Sequence, residues 1–588
     1  MGVIKRFGLT LLLLLVILLT SPITTKAVGQ YSPDWAPQED GIELTIIGRT
    51  INTQDAPIED SEVTVFISGE RVTLSFAGEQ TEVASTDAAG FFIIDINFPH
   101  SQMDPGDLAI EINRPGYRTI HQGYAQHEIA CANTHCYIRI PDIVMPRSFN
   151  PAFFIGTGIF LVVFGFISLN VLHETIAAFL GAATMLGISY FIGSFNPDYW
   201  IISFERGIHF IDFDVVFLLM AMMIFMAIMS QTGVFQWMAF KTFNLARGNA
   251  FLVAVILISI TGIASAVLND TTVMLLMTPI SIQIALALNI QPAAIVVPEV
   301  MASNIGGAAT LIGTPPNTII GSYVGLSFNQ FLVNMLPIAL IGMIILIGMT
   351  RWLYRKEFSG KSEPPSSALI EKLESDAKIT NPDLLRKSLI LFAATLILFF
   401  IEDIFNMPPA VVAIIGATAL LLWVRPNVSD MLREVDWTTL VFFMSLFIMV
   451  GGIQEVGLIQ LIAKSVKSMA GDNLVLAALL IIWVAVIASA IIANIPFTAA
   501  IVPVTVFLTH TIPGAENNVL YWALALGAGL GGNATYIGSA PNIVAAGILD
   551  RAGFRLTFGD FSRIGVPITF VTVLIPTIWI LIRYFLLN

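Results

Sequence analysis

The feature that most constrains this chain is a glycine- and proline-rich motif that occurs twice within apolar sequence. Residues 306–317 read GGAATLIGTPPN and residues 531–542 read GGNATYIGSAPN, with eight of twelve positions identical at an offset of 225. Glycine and proline at this density interrupt an α-helix. An interrupted helix at membrane depth is tolerated only where it is buried in protein or lines a cavity. A pair of such interruptions indicates the binding site of a secondary transporter.

Composition places both copies of the motif in a membrane. The 588 residues are 56% hydrophobic and 12% charged, with a mean hydropathy of +0.81, whereas a soluble domain carries roughly 25% charged residues. We therefore predict an integral, mainly α-helical, polytopic membrane protein that is embedded in a lipid bilayer. If the cell is prokaryotic, that bilayer is the plasma membrane. The predicted spans are 151–170, 175–193, 213–231, 331–349, 388–405, 409–424, 437–451 and 564–586, each about long enough for a core of ~30 Å.

The amino-terminal part of the chain has a different character. Residues 1–27 combine Lys5 and Arg6 with an apolar run and a small-residue end, a pattern typical of a signal peptide, with an uncleaved signal anchor as the alternative. Residues 28–146 hold 18 acidic and 5 basic residues, a net charge of −13 that equals that of the whole chain. We therefore predict that this acidic segment is exported and lies outside the membrane.

Short alternating runs in the acidic segment predict a β-sandwich. Turn signals separate the predicted strands 43–47, 62–67, 91–96 and 108–112, a spacing typical of sandwich folds. The stretch STDAAGFFIIDI resembles the carboxypeptidase-regulatory-like sandwich. In an oxidising compartment Cys131 and Cys136 would form a disulfide, and a pair of small buried thiols is the alternative.

The repeat extends beyond the opening motif. Residues 250–288 and 473–510 each contain two apolar halves around a polar tip, which predicts re-entrant hairpins, and the tips align at an offset of 224. Short stretches with lone cations, 234–248 and 455–468, predict interfacial helices. Asp214 and Asp436 open the first span of each repeat. The chain then divides into two leading spans (150–212), repeat 1 (213–349), a linker (350–387), two further spans (388–435) and repeat 2 (436–588).

Charge predicts the orientation of the repeats. The linker 350–387 is rich in lysine and arginine, as cytoplasmic loops are, and this agrees with an external segment 28–146. Repeat 1 then enters from outside and repeat 2 from inside. We therefore predict two inverted repeats of three crossings, whose hairpin tips approach the midplane from opposite faces.

Two acids lie within the predicted membrane core. Asp270 is the only acid at either hairpin tip, and an intramembrane carboxylate is a functional candidate because its charge is costly in lipid; capping of the return arm is the alternative, and both roles can coexist. Glu299 lies just before the first motif. We expect it either to bind a coupling ion or proton or to pair with a polar neighbour. The equivalent residue in repeat 2 is Leu524. Glu402 and Asp403 end a span and are interpreted as a solvated cap.

Several function classes lack support in the sequence. There is no Walker A motif, nucleophile elbow, metalloprotease signature, basic field or Cys/His metal spacing. We therefore expect no enzyme activity, no ATP, no nucleic acid and no cofactor beyond a coupling ion, Na⁺ or H⁺.

Four motifs together resemble a known superfamily. They read SAVLNDTTVMLLMTP (265–279), SNIGGAATLIGTPPN (303–317), NIPFTAAIVP (494–503) and GAGLGGNATYIGSAPN (527–542). They are similar to the ion transporter superfamily, in particular the arsenite pump/NhaD antiporter group and its P-protein branch, with the divalent anion:sodium symporters as relatives. The resemblance implies a homodimer with a scaffold domain and a transport domain that moves as an elevator.

The resemblance also implies an ion and substrate site. Carried over by position, it comprises Asn269, Asp270, Thr272, Asn304, Gly306, Thr310 and Asn317 in the first half, and Asn494, Thr498, Asn533, Thr535 and Asn542 in the second. Glu299 joins this set on the argument above, and Na⁺ would bind at Asn269, Asp270 and Asn494.

Departures from the family pattern shape the expected function. P-protein-like tips usually read Asp-Asn and the first loop GDPPN, whereas this chain has Asn269-Asp270, Ala493-Asn494 and Thr314. Fewer carboxylates weaken proton antiport and lessen the charge cost of admitting an anion. The sequence thus predicts Na⁺- or H⁺-coupled transport of an inorganic or small organic anion, with a Na⁺/H⁺ antiporter or a passive anion channel as alternatives.

Overall fold

The computed structural model of the chain divides into two compact units, Met1–Pro146 and Arg147–Asn588. The residues that it describes are 41–52, 57–67, 70–76, 79–87, 89–99, 108–114, 116–124, 130–132, 135–145, 149–169, 171–359 and 378–586. The predicted signal segment 1–27 and residues 360–377 of the predicted linker lie outside them.

The first unit contains two β-sheets. Its strands are β1 Gly41–Asn52, β2 Glu62–Ile67, β3 Glu70–Arg71, β4 Leu74–Phe76, β5 Glu79–Thr81, β6 Ala84–Ser85, β7 Phe91–Pro99, β8 Leu108–Asn113, β9 Ile120–Tyr124, β10 Ala130–Ala132, β11 His135–Arg139 and β12 Ile143–Met145. A 7-stranded sheet has the order β10-β11-β1-β7-β4-β5, with β12 beside β1, and a 5-stranded sheet has the order β3-β2-β8-β9, with β6 beside β2. Each of the four predicted strands lies within an observed one.

Alternation along the strands creates the core between the sheets. In β7 the side chains of Phe92, Ile94 and Ile96 are buried while Phe91 and Ile93 are exposed, as expected for a strand with one face inward. The inward residues of β1 and β7 share one hydrophobic cluster with those of β2 and β8 from the other sheet. The two sheets therefore form a sandwich.

The cysteines lie in the β10–β11 hairpin. Cys131 and Cys136 are directly opposite in its antiparallel register. Cys136 is buried and disulfide-bonded, and Cys131 is the one other cysteine of the chain.

The second unit is helical and repeats one order of elements. Its first half contains α1 Pro151–Ser168, α2 Glu174–Ile188, α3 Phe204–His209, α4 Phe213–Ser230, α5 Val234–Ala246, α6 Ala250–Val267, α7 Asp270–Ala287, α8 Ala293–Gly307, α9 Pro315–Val324, α10 Phe328–Leu353 and α11 Arg355–Phe358. Its second half contains α12 Pro382–Phe405, α13 Pro409–Val424, α14 Val428–Arg433, α15 Trp437–Glu455, α16 Leu458–Ala470, α17 Leu474–Ile491, α18 Asn494–Thr511, α19 Val519–Gly531, α20 Ala540–Arg551 and α21 Phe558–Leu581. The two halves thus have the same order of helices from α1 and α12 onward, whereas the predicted repeats begin only at residues 213 and 436.

Matching side chains start matching helices in the two halves. Asp212 and Asp436 cap α4 and α15 by accepting the N–H three residues on, each at 3.2 Å. Asn249 and Asn473 do the same for α6 and α17, at 3.0 and 3.1 Å. Both pairs are 224 residues apart. The residue equivalent to Asp436 is therefore Asp212, whereas the sequence analysis paired Asp436 with Asp214 as the residue that opens the span.

The predicted interfacial helices follow identical turns. Gly233 before α5 and Gly457 before α16 adopt φ of 78° and 96°, a left-handed conformation that favours glycine. Each glycine redirects the chain from a long apolar helix into a 13-residue helix. The position of α5 and α16 at the membrane surface stays a prediction.

Packing between the halves is reciprocal. Helix α2 packs on α15 of the other half and α13 packs on α4, while α9 packs on α18 and α20 packs on α7. The α2–α15 contact is thus equivalent to the α13–α4 contact, and the α9–α18 contact is equivalent to the α20–α7 contact, with the two halves exchanged. The halves therefore interlock rather than sit side by side.

Eleven helices among the described residues are long and apolar enough to cross a membrane. They include all four hairpin arms, each of 18 residues and hence ~27 Å long at 1.5 Å per residue. Arm length alone is thus compatible with a crossing, and the re-entrant path of the hairpins stays a prediction.

Glu402 departs from its sequence interpretation. It is 1% exposed and accepts the Phe328 N–H at 2.7 Å, so it caps α10 from the end of α12 instead of lying in solvent. Asp403 is exposed and accepts from Ser327 Oγ at 3.1 Å and Asn329 Nδ2 at 3.0 Å. The sequence could not show this because the two helices are brought together only by the fold.

Candidate functional site

Each motif forms a loop where its helix is broken, the first loop between α8 and α9 and the second loop between α19 and α20. A backbone hydrogen bond joins each hairpin tip to the broken-helix loop of its own half. Asp270 N–H, at the start of α7, donates to Gly313 O at 3.3 Å, and Asn494 N–H, at the start of α18, donates to Gly538 O at 3.0 Å. These are equivalent positions in the two copies. Tip and loop therefore form one polar unit in each half.

A threonine hydroxyl of each motif reinforces this joint. Thr310 Oγ1 donates to Ala266 O, and Thr535 Oγ1 donates to Ala490 O at 2.6 Å. Both carbonyls lie in the last turn of a hairpin arm, where the helix leaves carbonyls without an intrahelical partner. Both predicted site threonines thus lie at the joint between tip and loop.

Gly306 lies where α6 and α8 cross closely. A Cβ at Gly306 would overlap the backbone of Gly262, and a Cβ at the equivalent Gly531 would lie 2.7 Å from Val486 Cα. The first glycine of each motif is therefore needed for helix packing. Its contact with an ion stays a prediction.

Asn269 and Asp270 start α7 together. Asn269 Oδ1 accepts from the N–H groups of Thr271 and Thr272, at 3.1 and 3.2 Å. Asp270 Oδ1 accepts from Thr271 N and Oγ1, at 2.7 and 3.2 Å. Asp270 is 1% exposed, and among the described residues it makes no ion pair. A buried carboxylate without a cationic neighbour favours a bound cation or proton.

Glu299 is the second fully buried acid of the first half. Its Oε1 accepts from Thr261 Oγ1 at 2.7 Å, while Oε2 makes no hydrogen bond within the described part of the chain. Ser281 Oγ lies near the carboxylate but outside hydrogen-bond geometry. Hydroxyl groups of α6 and α7 thus surround a carboxylate on α8, an arrangement that can hold a proton or a small cation.

A ladder of hydroxyl groups runs from this acid to the hairpin tip. One helical turn beyond Thr261 and Glu299, Ser265 Oγ donates to Ser303 Oγ at 3.0 Å. Ser303 Oγ in turn lies 3.2 Å from Asp270 O, to which it donates. Neither serine was singled out in the sequence, although their spacing of four from Thr261 and Glu299 was visible there.

The second tip is neutral. Asn494 is buried, and its backbone carbonyl accepts a hydrogen bond from Thr498 Oγ1 at 2.7 Å. Ala493 stands at the N-cap of α18 and offers no side-chain acceptor. The start of α18 therefore has no side-chain cap, and its first N–H, that of Asn494, donates to Gly538 O instead.

The two halves meet at Asn304. Its Nδ2 lies 2.7 Å from Asn533 Oδ1, 3.0 Å from Ser539 Oγ and 3.0 Å from Asn542 Oδ1, so its two N–H groups are shared among these three oxygens. All four residues are buried. Three oxygen atoms of the second motif therefore converge on one nitrogen from the first half, and three predicted site residues come together.

Asn317 and Asn542 are fixed in the same way by their own loops. Asn317 Nδ2 donates to Ala308 O and Thr310 O at 3.1 and 2.8 Å, and Asn542 Nδ2 donates to Gly532 O and Thr535 O at 2.8 and 2.9 Å. Because both amide hydrogens are used, each Oδ1 must point away from its loop. Asn542 Oδ1 meets Asn304, whereas Asn317 Oδ1 has no partner among the described residues.

Further oxygen atoms of the first half are buried without a partner among the described residues. They include Thr314 Oγ1 and Asn304 Oδ1, whose residues are each 1% exposed, and Thr278 Oγ1 and Ser281 Oγ of α7 are others. Buried polar atoms normally have hydrogen-bond partners, so this cluster points to a bound ion or water. Thr314 was noted only as a departure from the family pattern, yet its counterpart Ser539 lies at the same offset of 225.

A cavity of about 320 Å³ adjoins the first loop. Its floor includes Leu311 of the motif, and Asp214, Glu402 and Asp403 lie around it. Within the described part of the chain, no lysine or arginine lines it. An acidic cavity with apolar walls concentrates cations, here next to the loop that holds the unpartnered oxygens.

Comparison with known proteins places this site in a family. The model of the citrate transporter family matches residues 159–527. The chain belongs to the citrate transporter family. It is 34% identical over 432 residues to an uncharacterized transporter of Mycobacterium tuberculosis, across 73% of this chain and 99% of that protein. It is 31% identical over 508 residues to the P protein of Homo sapiens, across 73% of this chain and 60% of that protein.

Membership in the citrate transporter family, a family of transporters, makes the protein an integral membrane transporter. The resemblance to the ion transporter superfamily and its P-protein branch, based on four motifs, is confirmed. Among solved structures, the YdaH transporter of Alcanivorax borkumensis is similar with a TM-score of 0.47 and 13% identity, across 70% of this chain and 98% of that one.

Proposed function

We propose that this member of the citrate transporter family is an ion-coupled secondary active transporter for a small anion. Na⁺ or H⁺ binds in the first half, the anion binds between the two tips, and an elevator-type movement of hairpins and broken helices alternates access. The halves are inverted in the membrane, and the protein acts as a homodimer. The family description makes citrate the first anion to test.

The observation that carries the anion site is a set of buried helix N-termini without side-chain caps. Helices α9, α18 and α20 begin at the loops and the second tip, and the N-cap side chain of each makes no capping hydrogen bond. The positive end of the helix dipole attracts anions, and it acts here although Pro315, Pro316 and Pro541 in these first turns have no N–H. Because α9 packs on α18 and α20 packs on α7, these termini lie at the contacts between the halves.

The coupling ion is assigned to the first half by charge. Asp270 and Glu299 are its two buried acids, and the unpartnered oxygens of Thr314 and Asn317 are hard ligands suited to Na⁺. The second half has Asn494 and Leu524 at the equivalent positions. A cation bound in the first half would also offset the charge of an anion held between the tips.

Transport by purified protein in proteoliposomes tests the proposal. We expect uphill accumulation of citrate, or of another small anion in a screen, driven by an inward Na⁺ or H⁺ gradient. Asp270→Asn should abolish or uncouple this flux while expression and melting temperature stay near wild type. Asp472→Asn, at an exposed acid paired with Lys467, serves as the control and should transport normally.

Two outcomes would contradict the proposal. Flux that only follows the anion's own gradient would indicate a passive channel. Unchanged coupled flux in Asp270→Asn would remove this carboxylate from the coupling step.

A further inference from the structure

The two broken-helix loops contain equivalent oxygen atoms that differ in whether they have a hydrogen-bond partner. Asn542 Oδ1 and Ser539 Oγ of the second loop both accept from Asn304 Nδ2. At an offset of 225 their counterparts are Asn317 Oδ1 and Thr314 Oγ1, both without a partner among the described residues. The same oxygens are therefore satisfied in one half and unsatisfied in the other.

The cause of the difference is one pair of residues. The counterpart of Asn304 is Gly529, and the counterpart of Asn533 is Ala308. A Cβ built on Gly529 would lie 3.5 Å from Ala308 Cβ, so these two residues face each other as Asn304 and Asn533 do. The two pairs, Asn304 with Asn533 and Gly529 with Ala308, are therefore equivalent contacts, but only the first pair has amide side chains.

The orientation of the Asn304 amide is fixed by its neighbours. Asn542 Nδ2 already donates to two loop carbonyls, so its Oδ1 needs a donor. Nδ2 of Asn304, 3.0 Å away, supplies this donor. Three oxygens around a partially positive NH₂ group at 2.7–3.0 Å resemble the surroundings of a small cation.

From this asymmetry we infer that the Asn304 amide takes the place of a cation in the second loop, so that the protein binds a single coupling cation, at Thr314 Oγ1 and Asn317 Oδ1 of the first loop. The inference rests on the proposed cation coupling and specifies its stoichiometry and ligands. Gly529 leaves the first loop without an amide donor, and a monovalent cation such as Na⁺ supplies the positive charge instead. The second loop is permanently linked to the first half by a hydrogen bond that no ion gradient controls.

Exchanging the two residues tests the inference. Purified full-length variants are titrated with NaCl at constant ionic strength against choline chloride, and the melting temperature is recorded. The wild-type melting temperature should rise with log[NaCl], with the slope that the linkage relation gives for one bound Na⁺. Gly529→Asn should be stable without Na⁺ and lose the Na⁺-dependent increase, because the new amide reaches Asn317 Oδ1 and Thr314 Oγ1.

Gly529→Ala is the matched control, since its Cβ alone makes an ordinary contact. It should keep the wild-type Na⁺ response. Asn304→Ala should be less stable in choline, and the slope of its melting temperature against log[NaCl] should rise towards that for two bound Na⁺ as a second cation enters the vacated oxygen cluster. Thr314→Val should weaken the apparent Na⁺ affinity by about tenfold or more, the order expected for the loss of one ligand.

The results separate the inference from the proposed function. The inference is overturned if Gly529→Asn keeps the wild-type response to Na⁺, or if the slope for wild type corresponds to two bound Na⁺. Either result leaves coupled transport standing. An Asn304→Ala variant whose lost stability Na⁺ does not restore also overturns the cation-replacement role. Absence of any Na⁺ effect on wild type contradicts both the single-cation site and Na⁺ coupling.

Discussion

At the scale of single residues, identical side chains have different roles because their neighbours differ. Asn317 and Asn542 occupy the same motif position and are anchored alike by two loop carbonyls. Asn542 Oδ1 is paired across the halves, whereas Asn317 Oδ1 has no partner among the residues that the structure describes. The sequence predicted both positions, but the partner of Asn542 comes from a residue 238 positions away.

Glu299 provides a prediction at this scale. Glu299→Gln keeps an oxygen that can accept from Thr261 Oγ1 but cannot bind or release a proton. If the carboxylate carries a proton during transport, the variant should fold normally and lose the pH dependence of flux between mildly acidic and mildly alkaline conditions. Flux at several pH values in proteoliposomes measures this.

Thr261→Ala is the control for Glu299→Gln, because it removes the hydroxyl and leaves the carboxylate. It should retain a pH-dependent flux. A pH profile of Glu299→Gln that matches wild type would mean that Glu299 serves packing and hydrogen bonding only.

At the scale of elements, glycine, proline and the helix caps set the architecture. Both motifs end one helix and begin another at a proline-containing first turn, α9 and α20. Caps 224 residues apart start equivalent helices. These are local interactions, so they were readable from sequence. The cap of α10 by Glu402 was not, because its acceptor belongs to another helix.

The close crossing of α6 and α8 gives the prediction at this scale. Gly306→Ala should lower the free energy of unfolding by about 1–3 kcal/mol, since the added methyl overlaps the backbone of Gly262 and overpacking of this kind costs that much. The melting temperature in detergent should fall correspondingly.

Gly158→Ala in α1 is the matched control for Gly306→Ala. It is the same substitution in a helix, but its Cβ would meet nothing within 4 Å, so the higher helix propensity of alanine should leave stability equal or raised by up to ~1 kcal/mol. Equal melting temperatures for the two variants would show that α6 and α8 can separate at no cost.

At the scale of the whole molecule, the halves are held together by exchange of helices. Helix α2 of the first half packs on α15 of the second, and α13 packs on α4. Arg206 Nη2 and Glu455 Oε1 add an ion pair between the halves at 3.0 Å. The membrane unit therefore depends on contacts that link distant parts of the chain.

Gly181 tests this interlocking. A Cβ there would collide with Met449 of α15 and lie 2.9 Å from Val163 Cγ2. Gly181→Val should therefore lower the melting temperature, by the equivalent of about 1–3 kcal/mol, and reduce the yield of folded protein.

Gly187→Val, two turns along α2, is the control for Gly181→Val. Its nearest Cβ neighbour is Phe191 at 3.9 Å, so the stability should change little beyond the helix propensity of valine. An equal loss at both positions would mean that α2 does not rely on its contact with α15.

The sequence by itself determined the membrane location, the broken helices, the hairpins, the sandwich strands and the superfamily. Hydrophobicity, glycine and proline content, polar tips and strand alternation act over a few residues, and the motifs record them directly. Only the tertiary structure decided which oxygens are satisfied, that Asn304 reaches the second loop, and that Glu402 caps α10. Those outcomes depend on pairing between residues more than seventy positions apart, because a buried polar atom is satisfied by whatever neighbour the fold brings within hydrogen-bond distance.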